Sequence, residues 1–130
     1  MGPGELSPGA RRSVKVRSLT VTTLSWDTER KGADLSVSLE GELDLASSKR
    51  LEEELLKLED EAPAMITLDL SGVTFIDSTG LSTLINADGR ARKADRRLQI
   101  VAGSGAARRI LRTVGLLERL DVVDAASPSS

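Results

Sequence analysis

Apolar and polar residues alternate in two short runs in the first third of the chain. Leu19, Val21 and Trp26 mark the first run, and residues 35–39, with the sequence LSVSL, form the second. Alternation with a period of two is typical of a strand that buries one face. The segment RKG at 30–32 lies between the runs and predicts a turn. The two runs are therefore predicted to form a β-hairpin.

The apolar spacing becomes helical after residue 45. Leu51, Leu55 and Leu58 form one stripe with acidic residues around it. Residues 65–70 then alternate again and predict a strand with aliphatic residues on one face and with Thr67 and Asp69 on the other. The dipeptide Ser-Gly at 71–72 is predicted to end this strand in a turn.

The second half of the chain repeats helix and strand. Ser78 or Thr79 is predicted to cap a second helix, and a strand at 98–101, a third helix and a short strand at 120–123 follow. The apolar stripes of these helices are predicted from Leu81, Leu84, Ile85 and Ala91, and from Ile110, Leu111 and Val114. Two strands followed by alternating helices and strands predict an α/β fold, with a mixed sheet whose parallel part is covered by helices.

The length of 130 residues fits one domain. Residues 1–17 are rich in Gly, Pro and Ser and contain four basic residues, so they are predicted to form a flexible N-terminal arm. This arm is either a basic tether for a partner or a solvated tail. The domain is predicted at 18–124, and residues 125–130 are predicted to be a C-terminal tail.

Charge and aromatic content narrow the classes of partner. Lys and Arg total 18 against 20 for Asp and Glu, so the formal net charge of -2 attracts neither nucleic acid nor an anionic bilayer. One Trp, one Phe and no Tyr leave no platform for stacking single-stranded bases. No apolar run approaches the roughly 18 residues of a membrane span, and the first residues carry no export or acylation signal. We therefore expect a soluble, cytoplasmic protein that binds neither nucleic acid nor a membrane.

Cysteine and histidine are both absent. Their absence excludes thiol nucleophiles, disulfides, Cys/His metal sites and every catalytic triad that needs an imidazole base. Much enzyme chemistry is thereby excluded.

The segment 68–81 is the most informative, because a buried-looking strand runs through a loop into the start of a helix at Ser78. The backbone N–H groups of a helix N-terminus lack internal partners, so a phosphate there is stabilised by about 0.3–1 kcal/mol. Gly80 costs about 1 kcal/mol of helix propensity relative to Ala, and we interpret it as a place where another protein's backbone approaches closely. The simpler alternative is that Asp77, Ser78 and Thr79 only cap the helix.

The motif DSTGL at 77–81 resembles the phosphorylation motif of STAS domains of the anti-anti-sigma type. The similarity extends to GELDL at 41–45, the strand at 66–70, SGV at 71–73 and VGL at 114–116, and covers roughly residues 19–123. The short sequence after Val123 and the segment LAS at 45–47 depart from the family's pattern. The resemblance implies a single STAS domain with a mixed four- to five-stranded sheet and helices packed mainly on one face.

The resemblance also implies roles for individual residues. Ser78 would be the phosphoacceptor, with Asp77 as its acidic neighbour and Thr79 as a second hydroxyl. Asp44 would lie near the serine, at the same end of the sheet. The implied partner-binding residues are Asp44, Asp77, Thr79, Gly80 and Leu81.

The implied function is that of an anti-sigma factor antagonist. Its unphosphorylated form would bind an anti-sigma serine kinase of the histidine-kinase-like ATPase fold and so free a sigma factor. Phosphorylation of Ser78 would release the kinase, because phosphoserine adds a charge of about -1.5 to -2 beside acidic residues. A metal-dependent serine phosphatase would restore the serine. The chain itself would be no enzyme and would need no cofactor, since the kinase binds the ATP.

Two alternatives and one further hypothesis accompany this interpretation. The first alternative is a non-switching STAS interaction module, such as a scaffold or a subunit of a lipid-transport complex. The second is a hydrolase or phosphoryl-transfer enzyme in which Asp69 and Asp77 hold Mg²⁺. The short C-terminus also predicts that Leu116, Leu117 and Leu120 are exposed, in which case a second copy would cover them in a homodimer.

Overall fold

The computed structural model describes residues 24–124, which form a mixed sheet and the helices that cover it. The predicted arm at 1–17, the predicted tail at 125–130 and the strand residues Leu19 and Val21 lie outside the described residues. The elements are β1 (Ser25–Lys31), β2 (Asp34–Leu43), α1 (Leu45–Glu59), β3 (Met65–Ile76), α2 (Ser78–Lys93), β4 (Arg97–Val101), α3 (Ala106–Thr113) and β5 (Val122–Val123).

The five strands lie in the sheet in the order in which they occur in the chain. β1 and β2 form the predicted antiparallel hairpin, but the turn lies at residues 32–33 and not at 30–32, because Arg30 and Lys31 still pair with β2. β2, β3, β4 and β5 are parallel to one another. Each parallel neighbour is reached through a crossover, and crossovers of this kind are right-handed. Because the order always advances in one direction, crossovers of the same hand place their helices on the same face. The predicted α/β fold with a mixed sheet is confirmed.

The core lies between the sheet and these helices and consists almost wholly of aliphatic side chains. The predicted stripe of α1 is confirmed, because Leu51, Leu55 and Leu58 are all buried. Their counterparts on the strands and on the other helices are Leu35, Val37, Ile66, Leu68, Leu98, Ile100, Leu84 and Leu111. The other face of the sheet is more polar, and there the Gln99 amide donates to the Thr67 hydroxyl over 3.1 Å.

β3 is longer than predicted, and the prediction of a turn at 71–72 is wrong. The strand continues to Ile76 because β2 keeps pairing with it through two shifts of register. Each shift places an extra β3 residue opposite β2, which is the arrangement of a β-bulge and bends the strand. A Cβ at Gly72 would lie 2.9 Å from the Leu39 carbonyl oxygen, so glycine lets the two strands approach at the first bulge.

The leucines near the C-terminus are not exposed, contrary to the prediction. Leu116 and Leu120 are only 5% and 7% exposed and belong to the core, because the chain after α3 folds back against α2 before it enters β5. The hypothesis of a homodimer rested on the exposure of these leucines, so it loses its basis. Ile85 and Val114, which were predicted to be on apolar stripes, are instead 41% and 48% exposed.

The connection after α1 contains a residue in an unfavourable backbone conformation. Ala62 has a φ of 54°, in the left-handed region that costs an L-residue roughly 1–2 kcal/mol. Ala62→Gly removes this cost but adds conformational entropy to the unfolded chain. We expect the free energy of unfolding to rise by about 0.5–1 kcal/mol in urea denaturation.

Ala94→Gly is the matched control for this exchange, because Ala94 is the exposed C-cap of α2 with a φ of -91°. At an ordinary φ the glycine has only the entropic effect, so this variant should be no more stable than the parent. Equal changes in the two variants would contradict the assignment of strain to Ala62.

Candidate functional site

α1 and α2 begin side by side at the carboxyl ends of the neighbouring strands β2 and β3. Asp44 is the N-cap of α1, and Asp77 is the N-cap of α2. The backbone N–H of Asp77 donates over 3.1 Å to the carbonyl of Leu43, the last residue of β2. This bond joins the end of β2 to the start of α2 and brings the two capping residues to one edge of the sheet.

The start of α1 is held by a reciprocal capping box. Asp44 Oδ1 accepts from the Ser47 backbone N–H over 3.1 Å, and the Ser47 hydroxyl oxygen accepts from the Asp44 backbone N–H over 2.9 Å. Two N–H groups that the helix cannot satisfy are thereby bonded. The bond from the Ser47 N–H stabilises the carboxylate and lowers the pKa of Asp44 below its ordinary value. Asp44 is therefore negatively charged at neutral pH.

Ser78 is the first residue of α2, and its side chain does not cap the helix. Asp77 Oδ1 takes that place by accepting from the Gly80 backbone N–H over 2.9 Å. Thr79 does not cap the helix either, so the prediction that Ser78 or Thr79 is the cap is wrong. Ser78 is exposed, and its hydroxyl makes no hydrogen bond to any residue between 24 and 124. The hydroxyl is therefore available for modification.

Gly80 is required by a contact inside this chain. It is buried, and a Cβ there would lie 2.8 Å from both the Cγ and the carbonyl oxygen of Leu43 and 2.9 Å from Ile76 Cγ2. The interpretation that another protein's backbone approaches Gly80 is therefore wrong, because the end of β2 already occupies that space. Leu81 is only half-buried but packs against the core, and Thr79 is also half-buried.

Two large apolar side chains near Ser78 are exposed, and sequence reasoning missed both. Leu45, the first residue of α1, is 70% exposed, and Phe75 of β3 is 44% exposed. Phe75 lies opposite Glu42, so both side chains belong to the sheet edge at which the helices begin. We call the surface formed by Asp44, Leu45, Phe75, Asp77 and Ser78 the Ser78 surface. Large contiguous apolar patches with a polar border mark protein-binding surfaces, and Leu45 and Phe75 are the apolar side chains that this edge offers for such contacts.

The departure from the family's pattern at 45–47 was a usable signal for Leu45, since it placed a leucine directly after a helix cap. No such signal was available for Phe75, because the segment that carries it was expected to be a loop. Its exposure depends on the bulged continuation of β3.

A family model described as "Mlab, STAS domain" matches residues 26–123. The chain belongs to the STAS domain family. The resemblance seen in the motif at 77–81 is thereby confirmed for nearly the whole described part of the chain.

Solved structures similar to this STAS domain include several anti-sigma factor antagonists. An antagonist from Mycobacterium paratuberculosis is 25% identical, with a TM-score of 0.71, over 78% of this chain and 86% of that one. The anti-sigma factor antagonist SpoIIAA in its unphosphorylated form is 19% identical, with a TM-score of 0.60, over 79% and 90% of the two chains. The Bacillus cell fate determinant SpoIIAA in its phosphorylated form is 18% identical, with a TM-score of 0.63, over 79% and 93%. Among curated proteins, none matches the sequence.

The two carboxylates of the proposed Mg²⁺ site are not brought together in this STAS domain. Asp69 lies within β3, where its Oδ1 accepts from the backbone N–H and the hydroxyl of Ser71 over 2.9 and 2.6 Å. No loop intervenes before Asp77, and at about 3.3 Å per residue roughly 20 Å or more of extended chain separates the two. Residues 24–124 contain no group of three or more acidic side chains that could hold a metal ion.

None of the helices within the described part of the STAS domain is long and apolar enough to cross a membrane.

The pKa of Asp44 makes the stability of the STAS domain depend on pH. A carboxyl group with a lowered pKa in the folded state contributes stability above its unfolded pKa of about 3.9, and this contribution is lost as the pH falls through the folded value. Asp44→Asn keeps an oxygen that can accept from the Ser47 N–H but cannot titrate. We expect this variant to lose less stability than the parent in urea denaturation between pH 5 and about pH 2.

Asp44→Ala measures the contribution of the helix cap to stability, separately from that of the titrating charge. It removes the acceptor altogether and should lower the free energy of unfolding at pH 7 by about 1 kcal/mol. The same acid-induced loss in the parent and in Asp44→Asn would show that Asp44 does not contribute to the pH dependence.

Two glycines of α2 allow a matched test of the contact with Leu43. Gly80→Ala places a Cβ against the Leu43 carbonyl and should lower the free energy of unfolding by about 1–3 kcal/mol, although alanine favours helices. Gly89→Ala is the same exchange in the same helix, but its Cβ meets nothing within 4 Å. This control should be about 0.5–1 kcal/mol more stable than the parent. If urea denaturation shows both variants to be stabilised, the contact does not constrain residue 80.

Proposed function

We propose that this STAS domain is an anti-sigma factor antagonist that binds an anti-sigma serine kinase through the Ser78 surface until Ser78 is phosphorylated. The observation that carries this proposal is the Ser78 hydroxyl, which is exposed on the first turn of a helix capped by another residue and makes no hydrogen bond within residues 24–124. The similarity to an antagonist at 25% identity supports the role. SpoIIAA has the same fold and is known in unphosphorylated and phosphorylated forms.

The transfer step would require nothing from this chain except the hydroxyl. The kinase would bind ATP and transfer its γ-phosphoryl group to Ser78 Oγ, with loss of the hydroxyl proton and release of ADP. A metal-dependent phosphatase would hydrolyse the phosphate ester with water and return the serine and inorganic phosphate. The STAS domain is therefore the substrate of both reactions, not an enzyme, and it needs no cofactor of its own.

Phosphorylation would weaken binding through charge and bulk. A phosphoserine carries about -1.5 to -2 charges, and Asp77, the preceding residue, already neutralises part of the helix N-terminus through its bond to the Gly80 N–H. Asp44 adds a further negative charge at the same edge. A partner that fits Leu45 and Phe75 closely would have to exclude water from this phosphate. Since each 1.4 kcal/mol is about a tenfold loss of affinity, no refolding is needed for a clear switch.

The binding residues that we propose are those around Ser78 that are exposed or half-buried. Asp44, Asp77 and Thr79 remain from the sequence-based prediction, with Leu81 at the border of the surface. Leu45 and Phe75 join them as the main apolar contacts. Gly80 acts indirectly, because it lets α2 dock on Leu43 and so sets the position of Ser78. Since sigma factors act on transcription, we place the protein in the cytoplasm.

The decisive test is phosphorylation with Ser82 as the control residue. Ser82 is also exposed and lies about one turn further along α2. The purified domain is incubated with ATP and an extract of its native host, and phosphate is located by fragmentation in a mass spectrometer. We expect one phosphate on Ser78, none in Ser78→Ala and no change in Ser82→Ala.

Binding is then measured with Ser78→Ala and Ser78→Asp. The protein retained by Ser78→Ala is identified, and its affinity for both variants is compared by calorimetry. An anti-sigma kinase should bind Ser78→Asp at least about tenfold more weakly, whereas Ser82→Asp should bind like the parent. Equal affinities, together with an unphosphorylated Ser78, would favour the non-switching STAS module instead.

A further inference from the structure

A cleft of about 390 Å³ lies between α2 and the segment that leads into β5. Ile85, Leu116 and Leu120 provide its apolar lining, and of these Ile85 is the most exposed. The volume falls in the range of roughly 300–1,000 Å³ that is typical of small-molecule sites. The cleft is therefore large enough for a small organic ligand.

Gly89 lies in this lining, and no contact with another residue between 24 and 124 explains it. It occupies an interior position of α2, where glycine is unfavourable relative to alanine. Among the described residues, a Cβ at this position would meet nothing within 4 Å, so none of them forbids a side chain. The missing side chain instead exposes helix backbone inside the cleft. A glycine used in this way allows an occupant to approach the backbone closely.

The rim of the cleft is positively charged. Arg119 lines it, and its guanidinium makes no ion pair or hydrogen bond with residues 24–124. Arg92 stands beside it, with its Nη2 donating to the Arg119 carbonyl over 3.2 Å. The nearby carboxylate of Asp88 accepts from Arg92 Nε over 2.8 Å and neutralises that one arginine. Within residues 24–124, one cationic charge therefore remains without a partner at the edge of the cleft.

From these observations we propose that the cleft is a binding site for a small amphiphilic anion, with its apolar body on Ile85 and Gly89 and its acidic group on Arg119. A carboxylate or a phosphate monoester attached to an aliphatic chain has this chemistry. The aliphatic chain contacts Ile85 and the open space at Gly89, and the Arg119 guanidinium, which has no partner among residues 24–124, selects an anion over a neutral ligand.

The site is distinct from the Ser78 surface and does not depend on the proposed function. At 1.5 Å per residue, Ile85 and Arg92 lie about 10 and 21 Å along the axis of α2 from Ser78. Both sites are thus on one helix but at different positions, and they share no residue.

Three ligands separate the contributions of the apolar body and the charge. Octanoate contains both, octan-1-ol has the same apolar chain without charge, and acetate has the carboxylate alone. Each is titrated into ¹⁵N-labelled protein while amide shifts are recorded. Octanoate should cause saturable shifts confined to residues 85–92 and 116–120, whereas acetate should cause none there. Octan-1-ol should bind at least about threefold more weakly than octanoate, because it lacks the charge contact with Arg119. An exposed contact of this kind contributes an affinity factor of about that size.

Two variants test the residues that define the site. Gly89→Leu fills the open space, so it should abolish the octanoate shifts while the melting temperature stays at or above that of the parent. Arg119→Gln should weaken octanoate binding about threefold and leave octan-1-ol binding unchanged. Arg109→Gln is the control, because Arg109 is exposed on α3 and does not line the cleft.

Absence of saturable shifts with octanoate would overturn the proposal. So would shifts spread over the whole protein, equal affinity for octanoate and octan-1-ol, or undiminished binding to a folded Gly89→Leu variant. Phosphorylation of Ser78 is measured separately, so the failure of either proposal leaves the other testable.

Discussion

The contact between the end of β2 and the first turn of α2 is the constraint on which the site depends. Leu43 accepts the Asp77 N–H through its carbonyl and packs against the backbone of Gly80. A side chain at residue 80 would force the helix away from the sheet. Because this contact is made, α2 begins beside α1, the two capping carboxylates share one edge, and Ser78 is exposed with a hydroxyl that bonds to no other described residue.

A second interaction joins the same two helices at a point further along them, away from the sheet edge at which they begin. The Arg90 guanidinium of α2 binds Glu52 and Glu59 of α1, each over 2.7 Å. These carboxylates raise the pKa of Arg90, with the hydrogen bond to Glu59 as the largest cause. The helices are thus joined by a hydrogen-bonded ionic bridge as well as by buried leucines. Such a bridge resists movement of the two helices relative to each other, so the phosphorylation that we propose at Ser78 would act through local charge and not through a change of fold.

α2 contains two glycines, and the reason for the missing side chain is opposite at the two positions. Gly80 is surrounded by the chain's own atoms, so its lack of a side chain is a requirement of folding. Gly89 has empty space at the position of its missing Cβ, and folding alone would favour alanine there. The helix propensity of the two residues is the same. Their surroundings differ. Gly80 lets α2 dock and so positions the Ser78 surface, whereas Gly89 leaves a cleft open on the same helix.

The sequence alone was sufficient to predict the hairpin, the apolar stripe of α1, the order of helices and strands, and the motif that begins at Asp77. Each of these depends on residues that are close in sequence. The tertiary structure decided the rest. β3 passes through residues 71–72 because β2 continues to pair with it, and Leu116 and Leu120 are buried because the chain folds back against α2. It also decided that Asp77 leaves the Ser78 hydroxyl free and that Leu43, not a partner, approaches Gly80. The pairing of β3, the burial of Leu116 and Leu120 and the contact at Gly80 depend on residues far apart in the chain, which periodicity and propensity do not encode. The cap at Asp77 is local, but Asp, Ser and Thr are all favoured at the cap position, so propensity does not choose among residues 77, 78 and 79.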